Sequence, residues 1–253
     1  MQYFNRSFIF WLLLFAALFN VPTGASAYSY QTFSGCWTDI GDPYNPFDNK
    51  DYCCNRTAPA RFSGNQIKFY RSAVSFPDGN AFTDALITAW SRWNNGAGNI
   101  QFSTVRDDSG FVGLDNGYNE IWISADEAFM GGAPAFAVNQ YNYKTCYYDE
   151  ADMVFDATPD GNLWSTNESD TNKYMFSNTP TSRAFIATAL HELGHTVGLQ
   201  HESRYYNIMG ADTQYGTRNG TAIYYGPGED GNNGMAAIYG AGMGREDISI
   251  SPL

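Results

Sequence analysis

Residues 191–201 read HELGHTVGLQH and hold all three histidines of the chain. His191 and His195 lie one helical turn apart, so their imidazoles project from the same helix face and can bind one metal ion. Glu192 falls about 100° round the helix from His191, where it flanks the ion without ligating it and reaches a bound water. Gly198 can adopt the left-handed conformation that ends a helix, which turns the chain back and brings His201 to the same ion. Three neutral imidazole nitrogens leave the fourth tetrahedral position open, and an open position separates a catalytic zinc from a closed structural one. Zinc in that setting lowers the pKa of its water to about 7 and polarises a carbonyl, while Glu192 takes the water's proton during attack on a peptide bond and passes it to the leaving amine. The bland alternative is three ordinary histidines on an amphipathic helix. Against it, a chance match to H-E-x-x-H-x-x-G-x-x-H in a chain of this composition has a probability on the order of one in a million.

A helix must carry these residues, and the sequence before them supplies one. Phe185, Ile186, Ala189, Leu190, Leu193 and Val197 form an apolar face, and Thr181 or Ser182 is expected to cap the start. An earlier helix follows the turn PDGN at 77–80: Phe82, Ala85, Leu86, Ala89, Trp90 and Trp93 recur at helical spacing, and this aromatic stripe is expected to be buried against a sheet. Strands are expected at IKFY (67–70), NIQFSTV (99–105), EIWIS (120–124), APAFAVN (133–139) and ADMVF (151–155), separated by Gly, Asn and Asp. EDGNNGMAAIYG (229–240) reads as a third, shorter helix. Strands with one helix, followed by helices, point to an α+β fold.

The segment before this unit has a different character. Arg6, the apolar run FIFWLLLFAALF (8–19) and Ala25-Ser26-Ala27 have the layout of a secretory leader over residues 1–27, and the run is shorter than the roughly 20 apolar residues of a membrane span. Residues 28–63 are rich in Pro, Gly, Asn, Asp and Tyr without a sustained period, which predicts irregular structure. Cys36, Cys53, Cys54 and Cys146 are an even set, for which an exported chain favours two disulfides. A bridge between adjacent Cys53 and Cys54 would be strained, so each is expected to reach Cys36 or Cys146, closing a loop of up to about 93 residues worth roughly 4–5 kcal/mol in the chain-entropy model. The 14 basic and 26 acidic residues give a net charge of −12, which argues against a nucleic-acid partner because phosphate binding needs clustered Lys and Arg.

The extended histidine motif resembles the signature of the metzincin clan of zinc endopeptidases, in which a methionine-containing turn follows. NIMG (207–210) is similar to that turn and would set Met209 beneath the metal as a hydrophobic floor, not as a ligand. Eight residues separate His201 from Met209, the interval of the matrixins, or matrix-metalloproteinase-like enzymes; astacins use a much longer one, although His201-Glu202 echoes their histidine-glutamate pair. GGAPAFAVN (131–139) resembles the matrixin edge strand along which substrate lies, ADMVFD with Trp164 the strand and loop before the active-site helix, and EDGNNGMAAIYG the C-terminal helix. The resemblance covers residues 64–241. It implies a metzincin-like (zincin) fold: a twisted mixed sheet, an active-site helix and a small C-terminal subdomain. The leader (1–27), a disulfide-held N-terminal segment (28–63) and a tail (242–253) flank that unit. Carried onto this chain, the resemblance implies one catalytic Zn2+ on His191, His195 and His201, Glu192 as the catalytic base, and Gly198 at the motif turn. It further implies a protein or peptide substrate and a secreted, extracellular monomer, or a periplasmic one in a bacterium.

Departures from the matrixin pattern limit what carries over. With three histidines in all, a second, structural zinc cannot be built in its usual form, and no cysteine-switch propeptide motif is visible. Residues 210–212 read Gly-Ala-Asp where the family often has an aromatic residue and a proline. Asp156 matches a family calcium ligand, which makes Ca2+ a second candidate ion, although the following loop is longer. Tyr205, Tyr206 and Tyr215 lie near the zinc motif in sequence and are read as packing residues. The sequons at Asn55, Asn167 and Asn219 would matter in a eukaryotic secretory path. A rival class of function, a secreted binding or adhesion protein with little turnover on the same scaffold, is opposed by the intact Glu192.

Overall fold

The computed structural model describes residues 29–30, 59–96, 98–142, 145, 147–158, 163–168, 182–201, 208–210, 217–219 and 222–242. The leader, all four cysteines with their expected disulfides, Asn55, Glu202, Tyr205, Tyr206 and Tyr215 lie outside these residues.

Five strands make the central sheet: β2 (Gln66–Ser72), β3 (Gln101–Asp107), β4 (Glu120–Ser124), β5 (Ala135–Asn142) and β6 (Tyr147–Asp156), in the order β3-β2-β4-β6-β5. β2 runs parallel to β3 and β4, and β4 parallel to β6. β5 lies antiparallel to β6 at the edge, with Ala137 opposite Met153 and Asn139 opposite Ala151. β2 and β6 extend beyond their expected runs at both ends, β3 and β5 begin two residues into theirs and run past the far end, and β4 coincides with EIWIS.

The period-2 alternation of side chains divides the core between the two sheet faces. Ile121, Met153, Phe155 and Ala135 face the main core, whereas Trp122, Val154 and the half-buried Phe136 face a smaller one closed by Met130. The smaller core is capped by a one-turn helix, α2 (Glu127–Met130), which starts on Asp126, whose Oδ1 accepts from Ala128 N at 3.0 Å and Phe129 N at 3.1 Å.

Helix α1 (Ala81–Asn94) connects β2 to β3, as parallel neighbours require. It begins where PDGN ends, with Asn80 Oδ1 accepting from Phe82 N at 2.8 Å. Its buried face is Thr83, Leu86, Ala89, Trp90 and Trp93. Trp90 meets the sheet at Phe69, ring centroids 6.1 Å apart. Trp93 instead faces the motif helix, so the aromatic stripe is shared between sheet and helix.

The motif helix α3 (Phe185–Thr196) packs on α1, β5 and β6. Its start corrects the expected cap at Ser182, while Thr181 lies outside the described residues. Ser182–Ala184 form a strand, β8, paired in parallel with β7 (Leu163–Ser165), and helix entry at Ala184 has no side-chain cap. Phe185 takes the first helical position among the rings of Phe155 (4.7 Å), Phe82 (5.3 Å), Trp164 (5.4 Å) and Phe76 (5.9 Å). Strand pairing and that aromatic cluster override the local capping preference.

Beyond α3 come β9 (Leu199–Gln200), a hairpin of β10 (Thr217–Asn219) and β11 (Ala222–Tyr224), and helix α4 (Gly228–Tyr239). Two residues of the N-terminal segment expected to be irregular, Ser29–Tyr30 (β1), pair antiparallel with β9. Among the described residues no helix is long and apolar enough to cross a membrane.

Carboxylates hold the loop between β3 and β4. Glu120 Oε2 accepts from Gly113 N at 3.0 Å and Asn116 Nδ2 at 2.6 Å, and Glu150 accepts from Asp115 N at 2.6 Å and from Gly117 N. Asp152, fully buried between them, accepts from Glu120 N at 2.8 Å through Oδ1. Burial, followed by the neighbouring Glu150 carboxylate, pushes the Asp152 carboxyl up to about 9.

Candidate metal centre

Helix α3 is buried along nearly its whole length, and one contact fixes its rotation on α1. Trp93 Nε1 donates to the Leu190 carbonyl, one residue before His191, at 3.0 Å. The indole fits because two facing positions lack side chains: a Cβ at Gly194 would lie 3.3 Å from Trp93, and one at Gly231 on α4 would lie 3.1 Å from it. Gly194 also leaves the space taken by the Met209 thioether, which a side chain there would strike. Met209 is therefore buried against the helix that carries the histidines.

Gly198 ends the helical segment with φ 101°. A side chain there would also collide with the Ala60 carbonyl, so conformation and space both demand glycine. Gly198 N donates to His195 O at 3.0 Å, and the two residues of β9 then deliver His201.

The three imidazoles converge. Nε2 of His191 lies 3.0 Å from Nε2 of His195 and 3.1 Å from Nε2 of His201. These rings form a group that could hold a metal ion. His191 Nδ1 lies 2.7 Å from the Ile208 carbonyl, and His195 Nδ1 lies 2.8 Å from the Leu199 carbonyl. A carbonyl only accepts, so both Nδ1 atoms carry the proton and both Nε2 lone pairs point inward. Zn–N bonds of about 2.0–2.1 Å in a tetrahedron set nitrogens about 3.3–3.4 Å apart, so the observed spacing fits that ion within a few tenths of an ångström. Burial, reinforced by His201, holds the His195 pKa down at about 4, against the opposing pull of the Leu199 carbonyl. The ring is neutral near pH 7, the state a metal ligand requires.

Glu192, 5 % exposed, lines a cleft of about 330 Å³ with the three histidines, Gln200 and the β5 residues Ala135, Phe136, Ala137 and Asn139. Asn139 was not among the residues singled out by sequence, yet its Nδ2 donates to the His195 carbonyl at 2.8 Å. No motif spans the interval from 139 to 195; only the packing of α3 on β5 reveals the pair. The structural parts of Trp93 and Gly194 are equally non-local, although Gly194 sits inside the motif itself.

Asp156 is buried, with Oδ1 accepting from Thr158 N at 2.8 Å and its main-chain carbonyl accepting from Trp164 Nε1 at 2.6 Å. Asn167 is exposed. The triad is the one His-containing metal-ligand group among the described residues.

No curated protein matches the chain. The family model described as Matrixin matches residues 65–240, a span that runs from the threshold of β2 to the end of α4 and includes the histidine triad, Glu192 and Met209. With a mixed α+β sheet, a motif helix and a buried methionine turn inside a match over most of its length, the chain belongs to the matrixins, metzincins whose function is of the zinc metalloendopeptidase kind.

Proposed function

We propose that this protein is a secreted zinc-dependent endopeptidase that cleaves protein or peptide substrates at the cleft between β5 and α3. The observation that carries the reading is the convergence of three Nε2 atoms, two with Nδ1 committed to carbonyls, beside a buried glutamate that opens on the same cleft. His191, His195 and His201 hold the ion, and the Ile208 and Leu199 carbonyls fix the tautomer and raise the basicity of their rings. When bound, zinc acidifies a water and polarises the scissile carbonyl. Glu192 accepts the proton of the attacking water and returns it to the leaving amine. Met209 supports α3 from behind and takes no part in ligation.

Substrate binding follows from the sheet order. Among the described residues β5 is the outer strand of the central sheet and lines the cleft, so an extended peptide can add to it through main-chain hydrogen bonds while alternate side chains reach the walls. The leader over residues 1–27 takes the protein out of the cell, where it acts as a monomer. Calcium on Asp156 belongs to the same proposal as a structural ion.

The test compares the wild-type chain with Glu192→Ala on a denatured protein substrate, with and without a zinc chelator. Cleavage by the wild type that chelation and the alanine substitution both abolish is expected. A wild type that cuts nothing, or an alanine form that cuts equally well, refutes the reading.

A further inference from the structure

The chain passes from His195 to His201 through a short turn at Gly198, which packs against the Ala60 carbonyl and continues into β9 paired with β1. One contact crosses from the sheet, the 2.8 Å hydrogen bond from Asn139 Nδ2 to the His195 carbonyl. The same carbonyl accepts from Gly198 N at 3.0 Å, and the His195 ring bonds forward to Leu199 O at 2.8 Å. The Asn139 amide therefore joins the edge strand, the helix end and the glycine turn at one acceptor. Because a carbonyl only accepts, the amide nitrogen must face His195.

The other half of the amide makes this arrangement costly. Asn139 Oδ1 is buried without a close hydrogen-bond partner, while the amide also lies beside the Tyr148 hydroxyl; a buried amide left partly satisfied is unfavourable unless its other contact matters. Sheet pairing does not demand it: Asn139 sits opposite Ala151 through the main chain, a place that β-branched residues fill better than asparagine.

We infer that Asn139 is a positioning residue for the metal centre, its carboxamide holding the His195–His201 turn at a fixed place against β5 so that ligands and substrate strand keep one geometry. The inference rests on the metal-site reading above. The full chain and its Asn139→Ala and Asn139→Leu forms are loaded with Zn2+, and release of the ion to a chromogenic chelator is followed beside thermal unfolding of the metal-free proteins. Hydrogen-bond partners just outside the ligands typically weigh about 10–100-fold in metal affinity. Asn139 acts through the backbone, so the lower end is expected: release about tenfold faster in both variants, with the metal-free melting temperature little changed. Leucine keeps the bulk, which separates the lost donor from lost packing. Asn142→Ala, on the same strand, removes an amide bonded to Asp149 Oδ2 at 2.8 Å and is expected to leave release unchanged.

Unaltered release in both Asn139 variants overturns the inference. So does a loss that Asn142→Ala reproduces, or one that only tracks a lower melting temperature of the metal-free protein. A wild type that takes up no zinc, or whose His201→Ala form keeps it, overturns the metal-site reading and this inference with it.

Discussion

Replacing Asp152 by asparagine is expected to stabilise the protein at neutral pH and to flatten its pH dependence. The Asp152 carboxyl is fully buried and pushed up to about 9 from an ordinary 3.8, first by burial and then by Glu150. Folding therefore takes up a proton between those values. A group whose folded pKa is raised contributes stability that is complete below the unfolded pKa and is lost as pH rises toward the folded one, at about 1.4 kcal/mol per pH unit. Three pH units, from about 4 to 7, correspond to about 4 kcal/mol, and relaxation around the buried charge brings the expected loss to about 2–4 kcal/mol. Asparagine keeps an oxygen for Glu120 N and sets a neutral amide beside the Glu150 carboxylate, so it removes the titrating group without adding a charge. The assay is urea unfolding of both proteins from pH 5 to 9 with a chelator present, read as the difference between them, in which the histidine contributions cancel. The difference should be small near pH 5 and reach about 2–4 kcal/mol in favour of the variant at pH 8. Parallel curves, or a variant less stable than wild type at pH 8, would refute the reasoning.

Two further substitutions probe the helix that carries His191 and His195. Gly198→Ala should cost about 2 kcal/mol or more, since φ 101° disfavours any side chain and the Ala60 carbonyl occupies its space; unfolding curves and bound-zinc stoichiometry check it, and a variant that keeps both refutes the turn geometry. Gly194→Ala gains up to about 1 kcal/mol of helix propensity but drives a methyl group into the Met209 thioether, and overpacking of about 1–3 kcal/mol should win. In a Met209→Ala background the same change should cost less, so strict additivity of the two substitutions would contradict the contact.

The histidine triad was legible in the sequence because ligand chemistry restricts residue types within one short stretch, and Gly198 and Met209 came with it by spacing. The sheet was legible as five runs, since alternation marks strands wherever one face is buried; its order was not, because pairing joins residues such as Ile121 and Met153 that are far apart in the chain. The start of α3 failed for a related reason. Ser182 is a good local cap, but the pairing of β8 with β7 and the rings around Phe185 settle the boundary from elsewhere. Asn139 carries no local sequence signal because its partner is a backbone carbonyl, which any sequence supplies. Helical spacing marks Trp93 as part of a face expected to be buried against a sheet; that it packs on α3 and donates to Leu190 depends on where α1 crosses α3.

The same geometry explains why this fold and a metal ion favour each other. With Nδ1 of His191 and His195 committed to carbonyls, their inward lone pairs sit 3.0 Å apart, an arrangement that repels unless a positive charge lies between them. His191 is buried, and His195, with a pKa near 4, cannot relieve the repulsion by taking up a proton at neutral pH. A cation relieves it, so the free energy of binding adds to that of folding. Such a gain would not be shared evenly among the three imidazoles. His191 rides on a helix pinned by Trp93, whereas His201 is exposed at the end of a two-residue strand. A bound ion would therefore add most at His201, the exposed member of the triad.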